Sequence, residues 1–169
     1  MDLSHFDTVG NAVMVDISAK DDSFREAVAV GRIRINEAGF AMVTSGSATK
    51  GDVLGVARIA GIMAVKRTDE LIPLCHSLNL THASVDFRFL EASHEIECLC
   101  TVRCLGKTGA EMEALCGVSM ALATIYDMCK SIDKTMEIRS IRLLKKEGGK
   151  SGSFNATENE ERDLEHTPC

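Results

Sequence analysis

Two neighbouring segments with alternating apolar and polar residues constrain the fold of this chain more than any other feature. Over residues 83–89, small and apolar side chains alternate with Ser84, Asp86 and Arg88, and residues 96–104 repeat the pattern with Ile and Cys on one parity. A period of two is typical of a β-strand with one buried face. Because only residues 90–95 separate the segments, we predict an adjacent antiparallel pair.

The remaining pattern places helices between strands. Residues 25–35 alternate like a further strand, and the apolar residues 53–65 are typical of a buried helix. The order strand, helices, two strands, helix, strand predicts an α+β fold, a ferredoxin-like sandwich with a mainly antiparallel sheet and helices packed on one face. The other predicted elements are a short helix over residues 36–43, a helix from residues 106–109 to Ser131 and a last strand over residues 136–144.

Length and composition indicate one domain followed by a tail. A chain of 169 residues with 45% hydrophobic content can bury a core without disulfides or metal. After Lys145 the sequence is dominated by Gly, Ser, Asn and Glu, and such a segment cannot offset the entropy cost of ordering. We therefore predict a single catalytic α+β domain over residues 1–147 and a flexible polar, acidic tail over 148–169.

Charge and cysteine content narrow the functional class. A formal net charge of -6 argues against general nucleic-acid binding, which needs an excess of clustered Lys and Arg. The seven cysteines show no Cys-x-x-Cys spacing, and no apolar signal peptide opens the chain, which favours reduced thiols in the cytoplasm. Gly55, Arg58 and Gly61 interrupt the apolar residues 53–65, so we predict no membrane association.

Two lysines near predicted helix starts are candidate anion ligands. Thr49 and Asp52 have capping-box spacing, which would put Lys50 in the first helical turn, where free backbone N–H groups favour a phosphate. A solvated surface lysine explains Lys50 equally well. Gly106-Lys107-Thr108 resembles the end of a phosphate-binding P-loop, but Thr101 stands where the earlier glycine is required, so only a weaker anion site remains.

Leu74-Cys75-His76 follows Pro73 and places a thiol beside an imidazole. The segment is too rigid and apolar for an ordinary surface loop, so we favour a functional loop. A nucleophile and base pair would require a geometry that adjacent residues rarely have. Zinc is less favoured still, because no second ligand pair stands at metal spacing.

Asp127 and Lys130 are three residues apart near a predicted helix end, so they share a face and form an ion pair or a proton-transfer pair. A structural ion pair is the commoner outcome at this spacing. Glu111 and Glu113 stand at the other end, and Glu113 is about 21 Å from Asp127 at a rise of 1.5 Å per residue. One chain cannot easily bring both helix ends to one site.

Several longer strings identify the chain as similar to the cyclic pyranopterin monophosphate synthase family, the molybdenum cofactor biosynthesis protein C enzymes. The match runs from about Met14-Val-Asp-Ile-Ser to Gly149-Lys-Ser-Gly, nearly the whole predicted domain. The strings between are Lys50-Gly-Asp-Val, Ala57-Arg-Ile-Ala-Gly-Ile, Lys66-Arg-Thr, Leu71-Ile-Pro-Leu-Cys-His, Gly106-Lys-Thr-Gly, Glu111-Met-Glu-Ala-Leu and Ile125-Tyr-Asp-Met-Cys-Lys.

The resemblance implies a lyase that converts 3′,8-cyclo-7,8-dihydroguanosine 5′-triphosphate into cyclic pyranopterin monophosphate and pyrophosphate, in a homohexamer built as a trimer of dimers. It implies no required cofactor, with Mg²⁺ as an optional counter-ion of the triphosphate. Carried over by motif, Asp127, Lys50 and Lys130 are catalytic. The implied substrate-binding residues are Leu74, Cys75, His76, Met112 and Glu113, with Asp16, Arg25, Lys107 and Glu111 as further pocket residues.

Ser77 departs from the family pattern, which usually has proline after Cys-His, so this loop is expected to be somewhat less rigid. Two other functions stay open on the residues alone. One is a ferredoxin-like nucleotide or pterin hydrolase that uses the same anion site without forming a cyclic phosphate. The other is a non-enzymatic interaction module in which the charged residues are structural or solvated.

Overall fold

The computed structural model describes residues 5–48, 51–149 and 152–156, which form an antiparallel sheet with helices against one face. The strand order in the sheet is β2-β3-β1-β4-β5. The strands are β1 Ser23–Arg34, β2 Leu80–Leu90, β3 Glu95–Gly106, β4 Glu137–Glu147 and β5 Phe154–Asn155, and the helices are α1 Glu37–Thr44, α2 Val53–Val65, α3 Thr68–Leu71 and α4 Glu111–Cys129.

The two segments that alternate most clearly form the predicted hairpin. β2 and β3 pair antiparallel, with Phe87 opposite Cys98 and Val85 opposite Cys100. A short 3-10 turn, Glu91–Ser93, joins them and ends at His94, whose φ of 50° lies in the left-handed region. β1 then lies between β3 and β4, antiparallel to both.

The core lies between the sheet and helices α2 and α4. The apolar parity of β1 and β3 is buried there, with Ala29, Ile33 and Cys100 fully covered. α4 meets the length and hydropathy of a membrane-crossing helix, but half of that apolar window is buried inside the protein, as expected of a core helix. The α+β, ferredoxin-like prediction is confirmed.

Glycines let α2 and α4 approach closely. A Cβ added at Gly61 would lie 2.9 Å from the backbone oxygen of Gly117, and one added at Gly117 would lie 2.5 Å from Cys100 Sγ. Only the absence of a side chain at both positions permits α4 to lie this close to α2 and to β3. The close approach holds α4 against β3, and so fixes where the two ends of α4 stand relative to the sheet.

Gly61→Ala is therefore expected to lower the free energy of unfolding by roughly 1–2 kcal/mol, because overpacking outweighs the helix propensity gained. Urea denaturation measures the change. Gly106→Ala is the matched control, since a Cβ at Gly106 meets no atom within 4 Å in the part of the chain that the structure describes. Equal stability of the two variants would show that the helices separate without cost.

The start of α2 differs from the prediction. Asp52, instead of Thr49, is the N-cap, because its carboxylate accepts a hydrogen bond from the Gly55 amide at 2.8 Å. The helix begins at Val53, so the predicted capping box and the predicted first-turn position of Lys50 are wrong. Thr49 and Lys50 themselves lie outside the described residues.

The sheet also extends beyond the predicted last strand. β4 continues to Glu147 because Lys145 and Lys146 have acidic partners, Glu26 and Glu111, within 3.3 Å and 2.9 Å. β5 then pairs with β4, Phe154 opposite Lys146. Composition alone did not anticipate this short strand inside the predicted tail. The domain boundary at 147 stays a prediction.

Candidate functional site

Two contiguous cavities open at the N-terminal end of α4. The first, which we call the basic cavity, has a volume of about 640 Å³, and the second, the Glu113 cleft, about 400 Å³. β3 ends at Gly106, and the loop that leads from it into α4 runs along both. The residues shared by the two cavities are Lys20, Thr108, Gly109 and Glu111. A single elongated ligand can therefore occupy both.

Positive charge dominates the basic cavity. Its cationic side chains outnumber its acidic ones, which are Asp21 and Glu111. One of these cations, Lys146, pairs with Glu111 at 2.9 Å. Among the described residues, buried Arg25 Nε has no hydrogen-bond partner. Such a cavity favours a polyanion with several acceptor oxygens. The cationic residues that line it are Lys20, Arg25, Lys107 and Lys146.

Glu113 is the most perturbed acid near these cavities. Its side chain is only 4% exposed, and burial raises its carboxyl pKa to about 7, with the nearby charges of Glu111 and Asp69 adding to the effect. A carboxyl group that titrates near neutral pH exchanges protons readily. Glu113 therefore has the properties of a general acid or base beside a polyanion site.

His76 is held by the N-terminal segment. Its Nε2 lies 2.8 Å from the carbonyl oxygen of Val15. Because a carbonyl only accepts, Nε2 carries the proton, and Nδ1 is an acceptor when the ring is neutral and a second donor when it is charged. The same segment is tied again by Lys107, whose Nζ donates to the Ser18 carbonyl at 2.8 Å. The segment thus forms one wall of the Glu113 cleft.

Cys75 lies in the same wall as His76 but is poorly suited to nucleophilic attack. Burial is the main cause that raises the Cys75 pKa, and the charge of Glu113 raises it further, so the thiol stays protonated. Ser77, which follows His76, donates a hydrogen bond to the carboxylate of Asp69. That contact ties the loop that carries Cys75 and His76 to α3.

Asp16 does not line either cavity. Its carboxylate accepts hydrogen bonds from the Ser18 amide at 2.8 Å and the Ser18 hydroxyl at 2.6 Å. These bonds lower its pKa, and the charge of Lys107 contributes. Asp16 therefore shapes the turn whose carbonyl receives Lys107.

Asp127 and Lys130 stand at the opposite end of α4. Lys130 Nζ is 2.5 Å from the Asp127 carboxylate, and both side chains are more than half exposed. The hydrogen bond to Asp127, and then its charge, raises the Lys130 pKa. In a single subunit Lys130 is thus a cation, and neither residue lines the two cavities.

The structure brings most of the predicted site residues together, but not all. Within one chain, α4 keeps Asp127 about 21 Å from Glu113 along its axis. Lys50 lies outside the described residues. The catalytic and substrate-binding roles stay predictions. The predicted residues that line the two cavities are Arg25, Leu74, Cys75, His76, Lys107, Glu111, Met112 and Glu113.

Two cations of the basic cavity, Lys20 and Lys146, were not predicted from the sequence. Lys146 lies two residues beyond the predicted end of the last strand, and residues 141–147 do not alternate, so no pattern extended the strand to it. Lys20 had no sequence signal either. It lies in an irregular segment between Ile17, whose carbonyl accepts its amide, and β1.

The buried Glu113 carboxyl also predicts a pH dependence of stability. A pKa raised from 4.5 to about 7 means that the folded protein holds a proton that the unfolded chain releases, so stability falls as pH rises through this window. Glu113→Gln is expected to flatten that slope and to gain about 1–3 kcal/mol over the wild type at pH 8, a range reduced because the carboxyl borders an open cleft.

Urea denaturation at pH 4.5 and at pH 8 measures the difference. Glu111→Gln serves as the control, because it removes a neighbouring carboxylate that is less buried. A Glu113→Gln variant whose stability changes with pH as the wild type's does would contradict the assignment.

Comparisons with known proteins place the chain in one family. The family model described as the MoaC family matches residues 14–149. A cyclic pyranopterin monophosphate synthase of Chloroflexus aggregans is 56% identical over 92% of this chain and 94% of its own. Proteins of the same name from Clostridium botulinum and Roseiflexus sp. are each 56% identical, over 89% and 90% of this chain and 95% and 97% of their own lengths. The chain belongs to the MoaC family.

Proposed function

We propose that this protein is a cyclic pyranopterin monophosphate synthase of molybdenum cofactor biosynthesis. In this reaction 3′,8-cyclo-7,8-dihydroguanosine 5′-triphosphate rearranges to cyclic pyranopterin monophosphate and releases pyrophosphate, which makes the enzyme a lyase. The relatives carry that name. The observation that carries the proposal is the continuity of a basic cavity with a cleft whose carboxyl titrates near pH 7.

The basic cavity binds the triphosphate. Arg25, Lys20, Lys107 and Lys146 neutralise its charge, and they already stand in place before the reaction begins. As the bond to the pyrophosphate breaks, negative charge grows on the leaving oxygens. Fixed cations stabilise that charge more than the charge of the bound substrate, which accelerates the step.

The Glu113 cleft holds the purine-derived rings. Glu113 transfers protons while the rings open and rebuild, since its pKa of about 7 makes both protonation states available. His76 orients the substrate through Nδ1, because Nε2 is committed to Val15. Leu74, Cys75 and Met112 provide contact surface, with Cys75 as a neutral thiol.

Lys130 and Asp127 complete the site from a second subunit. The 21 Å between the ends of α4 prevents one chain from supplying both groups to one substrate. A symmetry-related copy that places its C-terminal end of α4 over the cavities of the first subunit removes the difficulty. The proposed assembly is a homohexamer, a trimer of dimers, with each site between two subunits. Lys130 enters as a cation that donates a proton.

The other predictions fit the same scheme. Lys50 is proposed as a second catalytic lysine, and Asp16 supports Lys107 through the turn at Ser18. Residues 5–48, 51–149 and 152–156 contain no group of three His, Cys, Asp or Glu side chains that could hold a metal ion. Any Mg²⁺ is proposed to arrive with the triphosphate. The enzyme is proposed to act in the cytoplasm without nucleic-acid or membrane partners.

Incubation of the purified protein with the cyclised GTP derivative tests the proposal. Cyclic pyranopterin monophosphate and pyrophosphate in equal amounts are the expected products, detected by mass spectrometry and a coupled pyrophosphatase assay. A product without the cyclic phosphate would indicate the hydrolase. Absence of any product from folded protein would favour the interaction module.

A further inference from the structure

Arg25 enters the basic cavity between two parts of its own chain. It lies near the start of β1, opposite Cys104 of β3, on the parity that faces the helices. Its Nε is buried without a hydrogen-bond partner among the described residues. Among the described residues, no carboxylate forms a salt bridge with the Arg25 guanidinium. Among the described residues, packing contacts and not a counter-ion therefore set the direction of the guanidinium.

The backbone after β4 supplies that constraint. Gly148 and Gly149 follow the strand directly, with φ values of +91° and +83°. A Cβ added at Gly149 would lie 1.9 Å from Nη1 of Arg25, 2.9 Å from Cζ and 3.4 Å from Nη2. The guanidinium thus occupies the space that a side chain at Gly149 would need.

The two glycines differ in what a side chain would meet. A Cβ at Gly148 would lie 2.2 Å from the backbone oxygen of Phe24, which cannot move without distorting β1. At Gly149 the obstacle is the far end of a long side chain, which can swing away. A methyl group at Gly149 would therefore move the guanidinium while leaving the sheet in place.

We propose that Gly149 is a positioning residue, whose missing side chain leaves the space that holds the Arg25 guanidinium in the basic cavity. The inference rests on the proposed function, in which Arg25 binds the triphosphate. It adds that the direction of Arg25 is set by the segment after β4, which lines the same cavity through Gly149.

Titration of the purified protein with inorganic triphosphate by calorimetry tests this. Gly149→Ala is expected to raise Kd about ten- to a hundredfold, the loss of one or more hydrogen bonds to a charged group. Arg25→Ala is expected to raise Kd by a similar factor. The double variant should bind no more weakly than Arg25→Ala alone, because the methyl group acts only through the guanidinium.

Gly152→Ala is the matched control. Gly152 also has a positive φ, +70°, but a Cβ there meets no atom of the described residues within 4 Å. The backbone penalty is therefore similar, and Kd for triphosphate should stay within about twofold of the wild type.

The outcomes separate the inference from the proposed function. Unchanged binding by Arg25→Ala would overturn the phosphate role and this inference with it. A loss in Arg25→Ala with unchanged binding in Gly149→Ala would overturn only the positioning role. Failure of Gly149→Ala to fold while Gly152→Ala folds, or an equal loss on top of Arg25→Ala, would show that Gly149 serves the fold and not Arg25.

Discussion

Lys130→Ala is expected to lower kcat by about a hundred- to ten-thousandfold, the usual contribution of a group that transfers a proton. The fold should survive, because the Lys130 side chain is more than half exposed and, within the described part of the chain, its ammonium pairs with the Asp127 carboxylate alone. Exposed pairs of this kind add little to stability. Thermal denaturation and the rate of cyclic product formation, measured on the same sample, separate the two effects.

Lys134→Ala is the matched control for that variant. Lys134 is an exposed lysine shortly beyond the same end of α4. Its backbone carbonyl accepts a hydrogen bond from the Tyr126 hydroxyl, and this bond does not depend on the lysine side chain. Its replacement should leave kcat unchanged. A Lys130→Ala enzyme with wild-type kcat would remove Lys130 from the mechanism.

The fold was predictable because its signals are local. The alternation over residues 83–89 and 96–104 reports burial of one strand face, and the hairpin followed directly from it. The residues at which helices and strands begin and end were harder to predict. Asp52 and Thr49 are both good N-cap residues, and only the observed hydrogen bond from Gly55 decides between them. β5 depends on pairing with the end of β4, which composition does not report.

The candidate site was predictable in part, mainly from the sequence motifs that resemble those of the family. His76, Glu113 and Arg25 come from distant parts of the chain, and their meeting at one end of α4 is a property of the sheet order. The raised pKa of Glu113 depends on the burial of its side chain, which no local sequence pattern indicated. Lys20 belongs to an irregular segment and had no sequence signal at all.

The spacing of Glu113 and Asp127 was readable from the sequence, because a continuous helix fixes the distance between its residues. The structure bears out that helix, Glu111–Cys129, without a break. It places the cavities at one end and the Asp127–Lys130 pair at the other. A site that uses both ends must draw on two subunits.

Two inactive variants that carry defects at opposite ends of α4 are therefore expected to restore activity together. Lys130→Ala lacks the C-terminal contribution, and His76→Ala lacks a group of the Glu113 cleft. In randomly assembled oligomers, about one quarter of the shared sites combine an intact end from each chain. Coexpression should thus recover roughly a quarter of wild-type activity, although each variant alone is inactive.

A pair with defects at the same end provides the control. Coexpressed Lys130→Ala and Asp127→Asn should stay inactive, because every chain then lacks part of the same contribution. Native mass spectrometry establishes that both mixtures contain mixed oligomers. Activity near a quarter of wild type in the opposite-end mixture alone is the predicted result. No activity above the same-end mixture, in oligomers that contain both chains, would contradict a site built from two subunits.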